Sequence, residues 1–416
     1  MRYLVCLSSL ALLATPAFAA TPEQTARAAL TRSPVVDGHN DVPEQTRDRF
    51  GNDLSHFDFR DTSGTATVDK TAMHTDLTRL KTGMVGGQFW SVYVPADLAE
   101  PVAVTQVLEQ IDVVERLVAR HPQDMMLART AADIETGFKT RKLASLIGME
   151  GGYGIGSSLG VLRAMYRAGV RYMTLTHFKT TAWADSATDA PKFDGLAPFG
   201  VSVVKEMNRL GMLVDLSHVS EATMNDALDA ATAPVIFSHS GARAIDHHPR
   251  NVSDAVLKRL PANGGIVMVV FAPAYVSETA RQYESDRTAE EKRQSYLHIG
   301  DPVGAKAAIA DWVKAHPAPH ATVAQVTDHI DHIRKLIGVD HIGLGSDFDG
   351  IDNIPDGLED VSKYPALFTE LARRGYSQAE LEKISSRNII RVLRAAEAAA
   401  VKLQGVPPGE TPVAVK

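Results

Sequence analysis

The most informative segment of this chain reads Val35-Val36-Asp37-Gly38-His39-Asn40-Asp41, an apolar run that ends in a histidine and an aspartate two residues apart. Side chains alternate between the two faces of a β-strand, so His39 and Asp41 are expected to project on the same side. An imidazole nitrogen and a carboxylate oxygen that converge in this way can bind a divalent metal ion. The pair alone is weak evidence, and its weight comes from the runs that follow it.

Five further apolar runs each end in a residue that can bind a metal ion or transfer a proton. These residues are Glu150, His177, His218, His239 and Asp347. Taken singly, such a histidine is more often structural, and an aspartate in this context often forms a turn. Taken together, the six runs supply imidazole and carboxylate donors for two metal ions. The absence of a thiolate donor favours Zn, Mn, Fe or Co.

Strand-like runs alternate along the chain with helix-like amphipathic segments. The eight candidate strands end near Asp41, Val94, Glu150, His177, His218, His239, Phe271 and Asp347. The helix-like segments include residues 102–120, 158–168, 201–210, 251–260 and 323–337, and Ser220 is a candidate N-cap of another. Eight strands joined by crossover helices predict a parallel (β/α)8 TIM barrel of the metal-dependent hydrolase type. In this fold functional residues lie at the carboxyl ends of the strands, where all the candidates fall.

The length and composition fit one large domain. The chain has 416 residues, 44% hydrophobic and 22% charged, and residues 21–404 are predicted to form a single barrel domain. Residues 273–320 are polar and contain four prolines, which predicts a long insertion between strands seven and eight. It is expected to be either a surface excursion or a lid or dimer element. Residues 377–403 predict a C-terminal helical extension made of a helix pair, and residues 405–416 a flexible tail.

The first 20 residues are predicted to be a cleaved signal peptide. Arg2 provides the basic start, residues 4–13 the apolar region, and Ala17-Phe18-Ala19 the cleavage site. The apolar region is shorter than the roughly 20 residues that a membrane-spanning helix needs. Cys6, the single cysteine, lies in this segment, so the exported chain would have no disulfide. A periplasmic or secreted protein is expected, held by its core, by a metal or by oligomerisation such as a homodimer.

The charge of the chain argues against nucleic acid as a partner. The net charge is -7, and loss of Arg2 leaves 42 basic residues against 50 acidic ones, or -8. No segment after the signal peptide is long and apolar enough to suggest a membrane span. Neither nucleic acid nor a membrane span is therefore expected.

Several segments, in the order in which they occur, resemble the membrane (renal) dipeptidase family, peptidase family M19. They are residues 37–41, 85–93, 147–152, 175–177, 237–240, 345–350 and 357–365. The resemblance runs from about residue 33 to about residue 395. It implies a (β/α)8 barrel that carries a binuclear centre of two Zn2+ per chain, or of another divalent ion.

The resemblance implies five metal ligands. Their order along the chain is His39 and Asp41 for one ion, Glu150 bridging both ions, and His218 and His239 for the second ion. Asp37, close to the first two ligands, is a candidate for orienting one of them, as ligating histidines usually need.

The resemblance also implies residues that act on the substrate. His177 would bind the substrate and offer positive character to the tetrahedral intermediate, and Asp347 would transfer protons and seat the substrate amine. Arg250 would grip the substrate carboxylate, for which the guanidinium fork is well suited. Tyr275 would line the pocket.

The activity implied is that of a zinc-dependent dipeptidase of the membrane dipeptidase type, in which a metal-bridging hydroxide attacks the peptide carbonyl. The resemblance also leaves room for L-D dipeptides. One alternative is another binuclear amidohydrolase on the same barrel, of the lactonase or phosphotriesterase type. Those sites usually recruit a carboxylated lysine at the fourth strand, which here ends in Thr176-His177-Phe178. A second alternative is a catalytically silent binding protein, and loss of a ligand or of the proton shuttle would indicate it.

The chain departs from the mammalian members in several ways. It lacks their disulfide cysteines and lipid-anchor signal, which indicates a soluble bacterial-type relative. Glu44 stands where they have a pocket tryptophan, and the insertion at residues 273–320 is longer. These departures concern the preferred side chain of the substrate and leave the metal chemistry intact.

Overall fold

The computed structural model describes residues 20–67 and 71–411 and contains a closed barrel of parallel strands. The strands of this part of the chain are β1 Val35–Asn40, β2 Val85–Tyr93, β3 Met125–Leu127, β4 Leu143–Glu150, β5 Val170–Thr174, β6 Leu213–Asp215, β7 Ile236–Ser240, β8 Ile266–Val269 and β9 Ile342–Leu344. They pair in the order β2-β1-β9-β8-β7-β6-β5-β4, and the pairing of β2 with β4 closes the ring. The predicted (β/α)8 barrel is confirmed. The short β3, which the sequence did not predict, pairs with the first residues of β4.

Helices surround the barrel and follow most strands. They are α1 Pro22–Arg32, α2 Val42–Phe50, α3 Leu77–Thr82, α4 Glu100–Arg120, α5 Ala131–Thr140, α6 Leu159–Ala168, α7 Pro198–Leu210, α8 Glu221–Ala230, α9 Asp254–Leu257, α10 Leu260–Asn263, α11 Pro273–Val276, α12 Glu278–Leu297, α13 Pro302–Ala315, α14 Val323–Ile337, α15 Tyr364–Arg373, α16 Gln378–Glu382 and α17 Asn388–Lys402. Ser220 caps α8 as predicted, because its side chain accepts a hydrogen bond from the Thr223 N–H. The helix predicted over residues 251–260 is instead two short helices, α9 and α10.

Alternation along each strand divides the core into two layers. In β1, for example, Val36 joins the cluster inside the barrel while Val35 faces the helices, and both are fully buried. Phe89, Leu146 and Tyr172 belong to the same inner cluster. Apolar side chains therefore fill the barrel below its carboxyl-end opening, which leaves polar side chains to converge at that opening.

The insertion at residues 273–320 lies between β8 and β9, the seventh and eighth strands of the ring, and is largely helical. It consists of α11, α12 and α13. Of the 20 residues of α12 only Ala280 and Gln294 are buried, and α13 has no buried residue. The hairpin of α12 and α13 is therefore held by far fewer apolar contacts than the barrel helices.

The predicted C-terminal helix pair is wrong in one respect. A π-helical turn, Lys383–Arg387, joins α16 to α17, so residues 378–402 form one helical run. No glycine or proline interrupts residues 378–402, and nothing in the sequence therefore ends the first helix.

The termini bear on the remaining predictions. The predicted signal peptide falls almost wholly on residues 1–19, which lie outside the described residues, and so do residues 412–416 of the predicted tail. Within that tail, Gly409 hydrogen bonds with Glu206 and with Arg163, and the Thr411 hydroxyl accepts from the Leu159 N–H. Across residues 20–67 and 71–411, no helix combines the length and the hydropathy needed to cross a bilayer.

Candidate active site

The carboxyl ends of the strands bring the predicted ligand and proton-transfer residues into one buried cluster. Its members are His39, Asp41, Glu150, His177, His218, His239 and Asp347. Three groups of them, His39–Glu150–His239, Glu150–His177–His218 and His39–Asp41–Asp347, have possible ligand atoms within 4.8 Å of one another. The parallel barrel explains the convergence, because residues far apart in sequence end their strands on the same rim.

Glu150, the last residue of β4, lies at the centre of the cluster. Its Oε2 is 3.4 Å from His39 Nε2 and accepts a hydrogen bond from Ser91 Oγ. Its Oε1 is 3.0 Å from His218 Nε2 and 3.3 Å from His239 Nε2. The two oxygens of one carboxylate therefore face two different sets of imidazole nitrogens.

The distances between donor atoms fit metal binding. His39 Nε2 is 3.5 Å from Asp41 Oδ2, and the Nε2 atoms of His218 and His239 are 3.0 Å apart. Donors at about 2.0–2.2 Å from one tetrahedral zinc ion would lie roughly 3.4 Å from each other. Both oxygens of Asp41 are buried without a hydrogen-bond partner among the described residues. Buried carboxylate oxygens are normally satisfied, so this pair is suited to an ion.

Hydrogen bonds at the far side of two rings direct their Nε2 atoms toward the cluster. His39 Nδ1 is 2.9 Å from the Tyr172 hydroxyl, and His239 Nδ1 is 2.8 Å from Ser238 Oγ. Ser238 Oγ in turn donates to Asp215 Oδ2. Such contacts hold the ring orientation and the tautomer that a ligating histidine needs.

Tyr172 and Asp215 were missed by the sequence analysis, which considered Asp37 as the orienting residue. Asp37 accepts hydrogen bonds from the backbone and side chain of Ser346 and from the His39 backbone N–H, so it contacts the main chain of this ligand and not its ring. A signal for Tyr172 existed in Gly148 of β4. A Cβ at Gly148 would lie 2.0 Å from the Tyr172 ring, and a glycine inside an apolar strand often indicates such a close approach.

Three residues at the rim have left-handed backbone conformations that favour glycine. The φ angles are 67° for His218, 67° for Asp347 and 68° for Asp349. Surrounding hydrogen bonds hold these conformations, including that of the Asp347 N–H to the His39 carbonyl. Backbone strain of this kind concentrates at functional sites.

The electrostatics of the cluster separate Asp347 from Glu150. Burial and the charges of Asp41 and Glu150 hold the pKa of Asp347 well above its ordinary value, although His39 opposes the shift. Burial alone would also raise the pKa of Glu150, but His39 and the other imidazoles lower it well below the usual range. Two carboxyls with opposite shifts can divide proton transfer from charge stabilisation.

The pKa of His177 corrects one expectation. Burial lowers it to about 4, with Glu150 opposing the shift. The imidazole is therefore neutral near pH 7. It would act on the substrate as a neutral N–H donor, and not as the positively charged group that the resemblance implies. Its Nε2 lies 3.8 Å from Glu150 Oε1.

A cavity of about 440 Å3 opens onto the cluster. One wall comes from the rim of the barrel and includes Glu44, Tyr93 and Phe178. The opposite wall comes from the insertion and includes Tyr275, Tyr283, Glu284 and Arg287. Tyr275 thus lies where the sequence predicted it, and α12 brings the insertion to the site, as the expectation of a lid requires.

Arg250 lies at the edge of this arrangement. It is fully buried and is not among the residues that line the cavity. Its Nη1 donates to the His239 carbonyl and to Ser240 Oγ, and its Nη2 is 2.9 Å from His218 Nε2. Its Nε has no partner among the described residues, and its guanidinium carbon lies 5.1 Å from the centre of the Tyr275 ring.

Comparisons with known proteins identify the family of this chain. A family model described as membrane dipeptidase, peptidase family M19, matches residues 23–406. An uncharacterized dipeptidase of Schizosaccharomyces pombe is 40% identical over 391 residues, which cover 91% of this chain and 84% of that protein.

Two solved structures share the fold. The probable dipeptidase PvdM from Pseudomonas aeruginosa gives a TM-score of 0.77 at 23% identity, over 91% of this chain and 99% of that one. A metallopeptidase from Rhodobacter sphaeroides, solved with a phosphinate mimic of the dipeptide L-Ala-D-Ala, gives a TM-score of 0.70 at 24% identity, over 88% and 99%.

Proposed function

Because the chain belongs to the membrane dipeptidase family, peptidase family M19, and is a metal-dependent dipeptidase, we propose that it uses two zinc ions held around Glu150. The observation that carries this proposal is the carboxylate of Glu150, whose two oxygens face separate imidazole sets at 3.0–3.4 Å. One carboxylate shared between two donor groups is the arrangement that a bridging ligand requires.

The proposed ligands are His39 and Asp41 for one ion, His218 and His239 for the other, and Glu150 for both. The nitrogen and carboxylate donor set, without sulfur, also suits Mn, Fe or Co, so the native metal is a separate question. When bound, ions at this site supply Lewis acidity and lower the pKa of a water molecule toward about 7.

Asp347 is the proposed proton carrier. It would take a proton from the attacking water and pass it to the leaving amine, and it would help seat the substrate amine. Support comes from its position, with Oδ1 3.9 Å from His39 Nε2 at the edge of the cavity. His177, as a neutral N–H donor, would stabilise the oxygen of the peptide carbonyl as negative charge develops there.

Arg250 is the proposed anchor of the substrate carboxylate. Its Nη2 contacts His218 Nε2, a nitrogen that a metal ion would occupy, so metal binding would release this N–H. The released Nη2 and the unpartnered Nε then form a fork for a carboxylate beside Tyr275. An anchor one residue beyond the scissile bond would limit the leaving group to a single amino acid.

We extend the proposal to dipeptides with a D-residue at the C-terminal position. Capture of the carboxylate by an arginine fork constrains the C-terminal α-carbon less than a side-chain pocket would.

We also propose export through residues 1–20 and a single barrel domain over residues 21–404, as the sequence predicts. N-terminal sequencing of protein from the extracellular or periplasmic fraction tests the proposed export and cleavage.

One preparation can test the function. Protein purified without chelators and supplemented with zinc is assayed for metal content and against L-L and L-D dipeptides, lactones and phosphotriesters. Two ions per chain with dipeptide turnover supports the proposal. Turnover of lactones or phosphotriesters alone would instead identify the other amidohydrolase type, and metal binding without any turnover a silent binding protein.

A further inference from the structure

Glu44 lines the catalytic cavity and has no role in the mechanism proposed above. It lies in the first turn of α2, three residues after Asp41, and its side chain is only 22% exposed. Burial, with the nearby charge of Asp41, raises the pKa of Glu44 to about 9, although Arg47 opposes the shift. The carboxyl therefore needs a further partner of opposite charge to be ionised near pH 7.

Arg47 contacts Glu44 but neutralises its charge only in part. Arg47 Nη2 is 3.4 Å from Glu44 Oε1, which is a long contact for an ion pair. The same guanidinium donates from Nε to Asp48 and from Nη1 to the Tyr93 carbonyl, each at 2.7 Å. Arg47 is therefore shared, and its shorter bonds go to other acceptors than Glu44.

The rest of the cavity wall is also acidic. Outside the metal cluster it contains Glu44, Glu284 and Asp352 against one cation, Arg287. Arg287 is itself engaged, with Nε 3.1 Å from Glu291 and Nη1 3.8 Å from Glu284. Such a wall attracts a cationic group of the substrate.

The order of strands in the barrel indicates which end of the substrate meets Glu44. Arg250 follows β7, and β7 is four strands from β2 in either direction around the eight-stranded ring. Glu44 follows β1, which is three strands from β7, and Tyr93 ends β2, so both lie on the far side of the opening. A dipeptide with its carboxylate toward Arg250 therefore extends its N-terminal residue toward Glu44.

We propose that Glu44 is a specificity-determining residue that selects dipeptides whose N-terminal side chain ends in an ammonium or guanidinium group. The proposal rests on the dipeptidase function and on the substrate direction given above. A cation beside Glu44 favours its ionised form, since an opposite charge within about 4–6 Å stabilises a carboxylate. A neutral side chain of equal length offers no such partner.

The test compares Lys-Ala with norleucyl-Ala, whose side chains have similar length and differ in charge. For the wild type, kcat/KM is expected to be higher for Lys-Ala by roughly tenfold to a hundredfold, the range for a hydrogen bond between charged groups. Glu44→Gln should remove most of this preference and leave norleucyl-Ala turnover near the wild-type rate. Glu44→Lys should disfavour Lys-Ala and improve Glu-Ala.

Asp48→Asn is the matched control. Asp48 also pairs with Arg47, but its side chain is 54% exposed and does not line the cavity. This variant should keep the wild-type preference. Metal content and thermal melting of all three variants separate a change in selectivity from a failure to fold.

The outcomes are distinct. Equal kcat/KM for the two dipeptides in the wild type overturns the role of Glu44 and leaves the dipeptidase function standing. An equal loss of both activities in a folded Glu44→Gln variant also overturns it. Glu44 would then contact the N-terminal α-amine that both dipeptides share, or it would support the site as a whole. No hydrolysis of any dipeptide overturns the proposed function, and this inference with it.

Discussion

The cavity has two walls, one formed by the strand ends and one by the insertion, and they are held in place by different means. At the strand ends the side chains are buried, and hydrogen bonds such as that between His39 and Tyr172 fix them. In the insertion, α12 buries only Ala280 and Gln294, and its charged residues pair mainly along the helix itself. Ion pairs of this exposed kind contribute little to stability.

This difference separates the wall that holds the reacting groups from the wall whose sequence is free to vary. The wall formed by the strand ends holds the groups that must stay within a few tenths of an ångström of their working positions. The insertion can change in sequence without disturbing the barrel core. Substitutions at the strand ends are therefore expected to have the larger effects.

The largest effect is expected for Glu150→Ala. Removing the carboxylate deletes the one group that faces both donor sets, so the variant should bind less than one ion per chain and lose measurable dipeptide turnover. Elemental analysis and a dipeptide assay on the same sample check this. Wild-type protein that holds at most one ion after zinc supplementation would contradict the binuclear site.

Asp347→Asn should uncouple metal binding from catalysis. The amide cannot carry the proton, so kcat should fall by roughly a hundredfold or more while metal content stays near that of the wild type. Near-normal kcat would refute the assigned role. Asp349 would be a poor substitute, because its carboxylate accepts a hydrogen bond from the His74 N–H.

Arg250→Ala should reduce kcat/KM on the order of tenfold to over a hundredfold, as expected for loss of a charge-assisted bond worth roughly 1.5–3 kcal/mol. Arg250→Lys should recover only part, because an ammonium cannot reproduce the fork. A dipeptide amide should be a poor substrate for the wild type and nearly insensitive to both changes. If the wild type cleaved the amide and the free acid equally fast, carboxylate capture would not be the source of the preference for dipeptides. The insertion would then be the next region to test.

His329 connects the two walls and predicts a pH effect on stability. Its Nδ1 accepts from the Ala242 N–H, after β7, and its Nε2 donates to the Val276 carbonyl of α11, which requires a neutral ring. Burial lowers its pKa to about 4 from 6.5, although the Val276 carbonyl opposes the shift. The unfolded chain therefore takes up the proton first, and stability should fall as the pH drops from about 6.5 to about 4, by roughly 3 kcal/mol.

Urea denaturation at pH 7 and pH 4.5 measures this loss. His329→Gln can keep a donor and an acceptor without titrating, so its stability should change less between the two pH values. His247→Gln is the control, since the His247 side chain is 74% exposed. Equal pH dependence in wild type and His329→Gln would exclude His329 as the cause.

The smallest effect is expected in the insertion. Trp312 of α13 packs on Tyr283 of α12, with ring centres 5.7 Å apart, and Tyr283 lines the cavity. Trp312→Ala should raise KM several-fold while metal content and the midpoint of thermal unfolding change little. A loss of bound metal would show that the insertion supports the metal site more strongly than its few buried side chains indicate.

Much of the barrel and the positions of the cluster residues followed from local pattern. Short apolar runs that alternate with helix-like segments indicated eight strands, and a polar residue such as Glu150 or His218 at the end of a run indicated the rim. The family resemblance, confirmed by the match over residues 23–406, added the roles of these residues, which stay predictions. The helix pair at residues 377–403 failed because residues 378–402 contain no helix breaker, and the helix continues through the π-helical turn Lys383–Arg387.

Local pattern was sufficient where the physical cause is itself local, as in the alternation of side chains along β1 or the capping of α8 by Ser220. It was insufficient where the cause is a contact between distant parts of the chain. Tyr172 reaches His39 across 133 residues, and α12 faces the strand ends across the cavity. The buried position of Arg250 beside His218 is of the same kind. Such contacts follow from how helices and strands pack around the ring, and packing depends on the whole chain at once.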